Sequence, residues 1–380
     1  MKGIINGKII TEQEIIENHV LIFDDKIVGI IPKSQWSQYH LAEEIDALGK
    51  FISPGFIDIH VHGCGGFDTM DDAPEALPTI SESVLQTGVT AFLPTTMTME
   101  FSKIHQSIER IRQGMIRSGG AEILGCHMEG PFINRANKGA QDQQYILAPE
   151  FAKIKPYLDV IKIITIAPEV VKDDAFIRSC VHAGIIVSIG HSSATYEQAL
   201  AAIEAGASHM THTFNALPPL HHRQPGAIGA ALEKDTVICE LIADNVHVHP
   251  AMQRLLLKMK GADKLILMSD GIRACTLCDG KYDLGGQMVT VGKGEARLAD
   301  GALAGSVLLM NQAVKNFMAN TGLDLLNAVK LVTMNPAREL GILADKGSLF
   351  IGKHADIIIF DEMLEVSMTI VRGNILYRRS

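Results

Sequence analysis

From about residue 50 to residue 345, short apolar runs rich in β-branched residues recur every ~25–40 positions. They are Phe51–His62, Thr90–Thr96, Glu122–Glu129, Ile161–Glu169, Ile185–His191, Ser208–Phe214, Val237–Asp244 and Lys264–Asp270. These runs lack the helical period and read as strands buried on both faces. Helical signals lie between them. Thr195 is a capping residue, strong helix formers follow it, and Gly206 supplies the stop. Phe101–Met115 and Val171–Gly184 read the same way. Strands and helices in strict alternation predict an α/β fold, a closed (β/α)8 or TIM barrel, over residues 53–346. An open doubly wound sheet would carry a glycine-rich dinucleotide turn after its first strand, and none is present.

The flanks have a different texture. Gly3–Ile5, Lys8–Ile10, Val20–Phe23 and Ile27–Ile31 read as short strands separated by the turns Asn6-Gly7 and Asp24-Asp25. Ala355–Phe360 and Met368–Val371 repeat that character, with Arg372-Gly-Asn374 as a turn. The expectation is one small β-sandwich domain built from both termini, residues 1–52 plus 347–380, enclosing the barrel.

Composition narrows the function classes. Apolar residues make up 47% of 380 and charged residues 20%, enough core to exclude general disorder. With 34 basic against 43 acidic residues, the net charge of −9 speaks against a grip on nucleic acid or anionic lipid. No apolar leader and no apolar run of ~18 residues stands out, so a cytoplasmic chain with no membrane association is expected. Of the six cysteines, Cys64, Cys126, Cys180 and Cys239 sit in or near apolar runs. Cys275 and Cys278 have ribbon spacing without a second pair and read as reduced thiols in a polar excursion.

Polar residues gather at the C-terminal ends of the expected strands, the face where a barrel of this kind does its chemistry. They are His60 and His62, Thr95 and Thr96, Glu129, Glu169, His191, His212, Asp244 with His247 just beyond, and Asp270. His60 and His62 share one face of a strand because side chains alternate with period two. Two imidazoles so placed favour a shared ion over two core histidines. Glu129 closes an apolar strand, where a carboxylate is costly unless paired or coordinated. With His191 and His212 this makes an N/O donor set suited to zinc or iron. Asp270 reads as a general base, and His127 as deeper support for Glu129.

Pro54-Gly-Phe-Ile-Asp-Ile-His-Val-His-Gly63, His127-Met-Glu-Gly-Pro-Phe132, Gly190-His191, Thr211-His-Thr-Phe-Asn-Ala216, Ser269-Asp-Gly271 and the closing Gly347–Asp356 segment together resemble the amidohydrolase superfamily. Glu129-Gly-Pro-Phe132 and Asn215–Gly226 resemble, within it, the N-acetylglucosamine-6-phosphate deacetylase family. The resemblance covers nearly the whole chain. It implies metal ligation by Glu129, His191 and His212, catalysis by Asp270, and conversion of a phosphorylated N-acetyl amino sugar to the amine and acetate. It places substrate contacts at Ala140, at the backbone of Asn215 and Ala216, at Arg223 and His247, and at Leu303, Ala304 and Gly305. It further implies a homodimer in which Arg223 reaches the neighbouring active site to pair with the sugar phosphate. Some members replace His60 by Gln, carry His in place of Gln141 and hold one metal, so one or two ions per subunit are implied. The C-terminal end of the fourth strand, Ile164–Glu169, offers no lysine to carry a bridging carbamate, so any bridge falls to Glu129.

A cation in that donor set would acidify water from a pKa of about 15.7 toward about 7 and polarise the acetyl carbonyl. Asp270 would take the water's proton and return it to the leaving amine, with Gln141 donating an amide N–H to the carbonyl oxygen. Arg223 is the expected phosphate partner because its guanidinium is planar and bidentate, and His222 is a weaker candidate beside it. Three rivals remain at this level: the galactosamine epimer as substrate, a cyclic amide as substrate, and a non-enzymatic scaffold. The last should have lost ligands that this chain keeps.

Overall fold

In the computed structural model, which describes residues 1–116 and 119–379, a parallel sheet curls into a nearly closed barrel. Its eight barrel strands are Phe56–Val61, Val89–Thr96, Cys126–Glu129, Ile161–Ile166, Ile186–Ile189, His209–Met210, Ile238–Leu241 and Leu265–Leu267. Each pairs in parallel with the next. The seam between first and last strands closes where the candidate chemistry sits. Asp270 N–H donates to His60 O at 3.0 Å, and His62 N–H to Gly271 O at 2.8 Å.

Helices cover the barrel because each has one apolar stripe. Phe101–Gly114 buries Ile104, Ile108 and Ile111 along one face. Tyr196–Glu204 starts at Thr195, whose side chain accepts from Gln198 N–H while Gln198 reciprocates, a full capping box. The helix expected over Val171–Gly184 is shorter, Ala175–His182: residues 172–174 form bends and a turn, and Gly184 in left-handed backbone (φ +78°) follows its end. No helix among the described residues is long and apolar enough to cross a membrane.

Two expected strands divide. Phe51–His62 splits at Gly55 into Phe51–Pro54, which leaves for a second sheet, and the first barrel strand. A side chain at Gly55 would lie 2.1 Å from Thr90, so only glycine lets the chain change sheets here. Glu122–Glu129 breaks in the same way at Gly125, where φ is +144°.

Both termini build two facing sheets. One runs Ile27–Pro32, His19–Phe23, Lys2–Ile5, Glu43–Asp46; the other runs Asn374–Arg378, Val366–Val371, Ile357–Phe360, Phe51–Pro54, Lys8–Ile10, Ile15–Ile16. Ile359 lies opposite Ile52, so N- and C-terminal strands are direct neighbours. Period-two alternation gives the second sheet two apolar faces. Ile357 and Ile359 face the sandwich core with Ile4, Leu21 and Phe23, whereas Ile358 and Phe360 pack into the barrel cluster. Lys346 pins the two cores together, with Nζ 2.5 Å from Asp356 and 2.7 Å from Glu122.

Candidate metal centre and substrate cavity

The first strand carries His60 inward, and His62 follows one residue past its end. Around Glu129 at the end of the third strand, four imidazoles converge. His191 Nε2 and His212 Nε2 each lie 3.2 Å from Glu129 Oε1, and His60 Nε2 lies 3.5 Å from it. His62 Nε2 lies 3.3 Å from Oε2. The carboxylate therefore stands between a His191–His212 pair (3.1 Å) and a His60–His62 pair (3.2 Å). Asp270 Oδ1 completes the ring, 3.3 Å from His62 Nε2 and 3.5 Å from His60 Nε2.

Backbone carbonyls prepare two of these imidazoles. His62 Nδ1 lies 3.3 Å from Thr95 O and His191 Nδ1 2.9 Å from Asn137 O. Each Nδ1–H donates there, which orients the ring with Nε2 at the centre. His191, His212 and Asp270 all follow the last residues of their strand segments in left-handed backbone, φ +49°, +33° and +51°. For non-glycine residues this conformation costs on the order of 1–3 kcal/mol each and gathers at functional sites.

The electrostatics are those of acids and imidazoles crowded away from water. Burial pushes the Glu129 carboxyl up, but the charge of His60 and His191 and the bonds from His191 and His212 hold it well below its ordinary range. Burial likewise opposes ionisation of Asp270, and His60 and His62 overcome it, bringing it to about 2. Both acids are therefore carboxylates at neutral pH. Burial drives His60 well below 6.5 despite Glu129, whereas the bonds from Asp270 and Glu129 lift His62 well above it.

The centre opens into a cavity of about 210 Å³ lined by Met97, Gly139, Ala140, Gln141, Asn215, Ala216, His247, Leu284, Leu303 and Gly305 together with His62, Glu129, His191, His212 and Asp270. His247 Nδ1 lies 2.6 Å from Asp244 Oδ2, and Asp244 Oδ1 accepts the backbone N–H groups of Val246 and His247. A side chain at Gly305 would stand 3.1 Å from Asp270 O and 2.5 Å from Ile272, so glycine lets this turn close on Asp270. A larger cavity of about 380 Å³ lies between the helices Ala76–Ser83 and Phe101–Gly114, far from this convergence of acids and imidazoles. Chemistry, not size, selects the site.

Several expectations need correction. Gln141 is held more tightly than expected: one Nε2 N–H donates to Glu129 Oε2 at 2.6 Å and its Oε1 accepts from Thr98 N–H at 2.6 Å, which leaves its second amide N–H as the donor facing the cavity. Ala304 is fully buried behind its neighbours Leu303 and Gly305 and does not line the cavity. Arg223, expected to serve a neighbouring subunit's site, needs no such correction: it is exposed, with Nη1 2.7 Å from His222 Nε2, and does not line its own chain's cavity. Glu169 lies in the turn after the fourth strand, where it accepts from Ser192 Oγ, Ser193 N–H and Asn134 Nδ2 and so braces the segment following His191. Cys275 is buried at 4% exposure while Cys278 is exposed, so the two do not share a polar excursion.

The sequence reading missed the sheet Gly280–Leu284, Gln287–Gly292, Glu295–Arg297, which brings Leu284 to the cavity. Its signal was present. Tyr282 and Leu284 alternate with polar residues before Gly285-Gly286, a hairpin pattern. Gln287 Nε2 ties this sheet to Ala140 O.

The sequence pattern of the amidohydrolase family matches residues 51–376. The N-acetylglucosamine-6-phosphate deacetylase of Bacillus subtilis (strain 168) is 41% identical over 379 residues, 97% of this chain and 95% of that protein. The N-acetylgalactosamine-6-phosphate deacetylase of Escherichia coli O157:H7 is 36% identical over 375 residues, 97% of each chain. The crystal structure of N-acetylglucosamine-6-phosphate deacetylase from Pasteurella multocida superimposes with a TM-score of 0.94 at 31% identity, covering 100% of both chains.

Proposed function

The chain belongs to the amidohydrolase family, and on that premise we propose that it hydrolyses the acetamide of N-acetylglucosamine 6-phosphate to glucosamine 6-phosphate and acetate. The observation that carries this reading is the convergence of four imidazoles and two ionised carboxylates at the mouth of the barrel, in a chain aligned end to end with deacetylases.

The family implies a divalent metal, and the donor set fits one. Glu129, His191 and His212 offer one carboxylate oxygen and two imidazole nitrogens within 4.8 Å of one another, and His60, His62 and Glu129 offer a second such set. N/O donors of this kind would suit zinc or iron, and Glu129 is common to both sets. A cation bound there supplies Lewis acidity, lowering the pKa of water and polarising the carbonyl.

The remaining work falls to the chain. Asp270, ionised and beside His62, accepts a proton from the attacking water as the C–O bond forms. It delivers that proton to the amide nitrogen as the C–N bond breaks, so the amine leaves neutral and the acyl group leaves as acetic acid, which ionises to acetate by giving its proton to solvent or to the freed amine. Asp244 fixes the His247 ring, which orients a sugar hydroxyl or the phosphate. The backbones of Asn215 and Ala216 and the Leu303–Gly305 turn flank the sugar. Arg223, exposed and outside the lining of its own cavity, serves the partner's active site in a homodimer and pairs with the phosphate there. Residues 1–52 with 347–380 form the small domain and 53–346 the catalytic one. A doubly charged sugar phosphate crosses membranes poorly, which fits a cytoplasmic enzyme.

Acetate release from the phosphorylated sugar by metal-loaded protein tests the function, and its absence would overturn it. The Escherichia coli relative gives the galactosamine epimer a claim. Comparing kcat/KM on the two epimers decides between them.

A further inference from the structure

Beneath the cavity the barrel axis carries charge where apolar packing is the rule. His209 on the sixth strand and Glu240 on the seventh are fully buried, with His209 Nδ1 2.8 Å from Glu240 Oε1. His209 Nε2 lies 3.4 Å from Glu339 Oε2 on the helix Met334–Glu339. Well-packed aliphatic side chains would avoid the desolvation cost of such a pair, so its retention calls for a reason.

The unmatched atoms supply one. Glu240 Oε2 is buried without a hydrogen-bond partner, and so is His60 Nδ1. One nitrogen of His60, one of His127 and one oxygen of Glu240 lie within 4.8 Å of one another. His127 has nothing left to give: its Nδ1 is 3.0 Å from Ile59 O and its Nε2 2.7 Å from Thr165 Oγ1. His60 Nε2 is turned toward Glu129, His62 and Asp270. Two polar atoms left unsatisfied in one buried layer cost a few kcal/mol unless they meet or share a water.

We infer that Glu240 is the positioning residue for His60. Neither atom has a direct partner, so Oε2 accepts the Nδ1–H of His60 through one bridging water and thereby fixes the tautomer whose Nε2 lone pair is open to a cation. His209 holds the other carboxylate oxygen and keeps Oε2 aimed upward. His62 and His191 get the same service from backbone carbonyls, whereas His60 gets it from a carboxylate, which also strengthens the imidazole as a ligand. This inference rests on the reading that His60 holds a cation.

The test is a double-mutant cycle read by zinc binding to chelator-stripped protein. Glu240→Gln keeps the shape. His209 retains the amide oxygen, and the NH2 group turns toward His60, which must then accept at Nδ1 and carry its proton on Nε2. Zinc affinity at the His60–His62 half should fall ~10–100-fold, the usual effect of losing such a partner. In a His60→Gln background the same change should have no further effect, because Glu240 acts only through that ring. Equal weakening in both backgrounds, or none in either, would overturn the inference. If His60→Gln itself leaves zinc binding unchanged, the reading of His60 as a ligand falls and takes the inference with it. Should Glu240→Gln fold poorly, ring-15N spectra of the unsubstituted metal-free protein decide. A proton on His60 Nδ1 supports the inference, and one on Nε2 overturns it.

Discussion

Replacing His209 by Gln should destabilise the fold by an amount that depends on pH in one direction. Burial by itself would push the His209 imidazole down, but its bonds to Glu240 and Glu339 and their charges raise it from 6.5 to about 9. At about 1.4 kcal/mol per decade, that gap is on the order of 3 kcal/mol of stability linked to the proton. Because the folded pKa is the higher one, this contribution is complete below about pH 6.5 and is lost as pH rises through 9. At about 2.1 cal/mol/K per residue, unfolding 380 residues changes entropy by about 0.8 kcal/mol/K, so 3 kcal/mol is about 4 °C in Tm. Both partners are fully buried, so added salt should screen little of it. The assay is thermal unfolding of both proteins in excess chelator, at one scan rate, from pH 6 to pH 10. The Tm gap should be widest near pH 6 and about 4 °C narrower near pH 10. A gap constant across that range would mean His209 is neutral in the fold and would refute the argument.

Other perturbations reach the centre and the clasp between the cores. Asp270→Asn should lower kcat about 10^3-fold with metal content unchanged, since removing a general base costs at least ~10^2; near-normal turnover would reject the role. Arg223→Ala should raise KM for the phosphorylated sugar and scarcely touch an unphosphorylated analogue, and equal damage to both would count against phosphate pairing. Lys346→Met leaves Asp356 without its cation and Glu122 with Arg372 alone, and should cost about 3 kcal/mol, a Tm loss of about 4 °C. Burial opposes ionisation of Glu122, yet Arg372 and Lys346 hold it at about 2, a contribution present above about 4.5 and lost as pH falls through 2. The Lys346→Met deficit should accordingly shrink on acidification below about pH 4.5, and a deficit independent of pH would contradict this.

The barrel was legible because its strands are buried on both faces and so are spelled as uniform apolar runs, with chemistry confined to their ends. Glu129, His191, His212 and Asp270 each close such a run, and they surround one cavity. The sandwich was legible from alternation and from hairpin turns such as Arg372-Gly373, both in left-handed backbone. The sheet at Gly280–Arg297 was passed over because its polar faces weaken the apolar signal that marked the other strands.

Residue types and their order thus settled the layering and which side chains stand at the strand ends, since both follow from burial and period along a single stretch of chain. Tertiary structure alone decided which lone pairs are free. Gln141 is bound to Glu129 and Thr98, His62 and His191 donate to backbone carbonyls, and Arg223 does not line its own cavity. Those facts depend on distances between groups far apart in the chain and on backbone forced into left-handed turns at His191, His212 and Asp270. Only the closed barrel sets such distances, because each strand's rise and register is fixed by its neighbours.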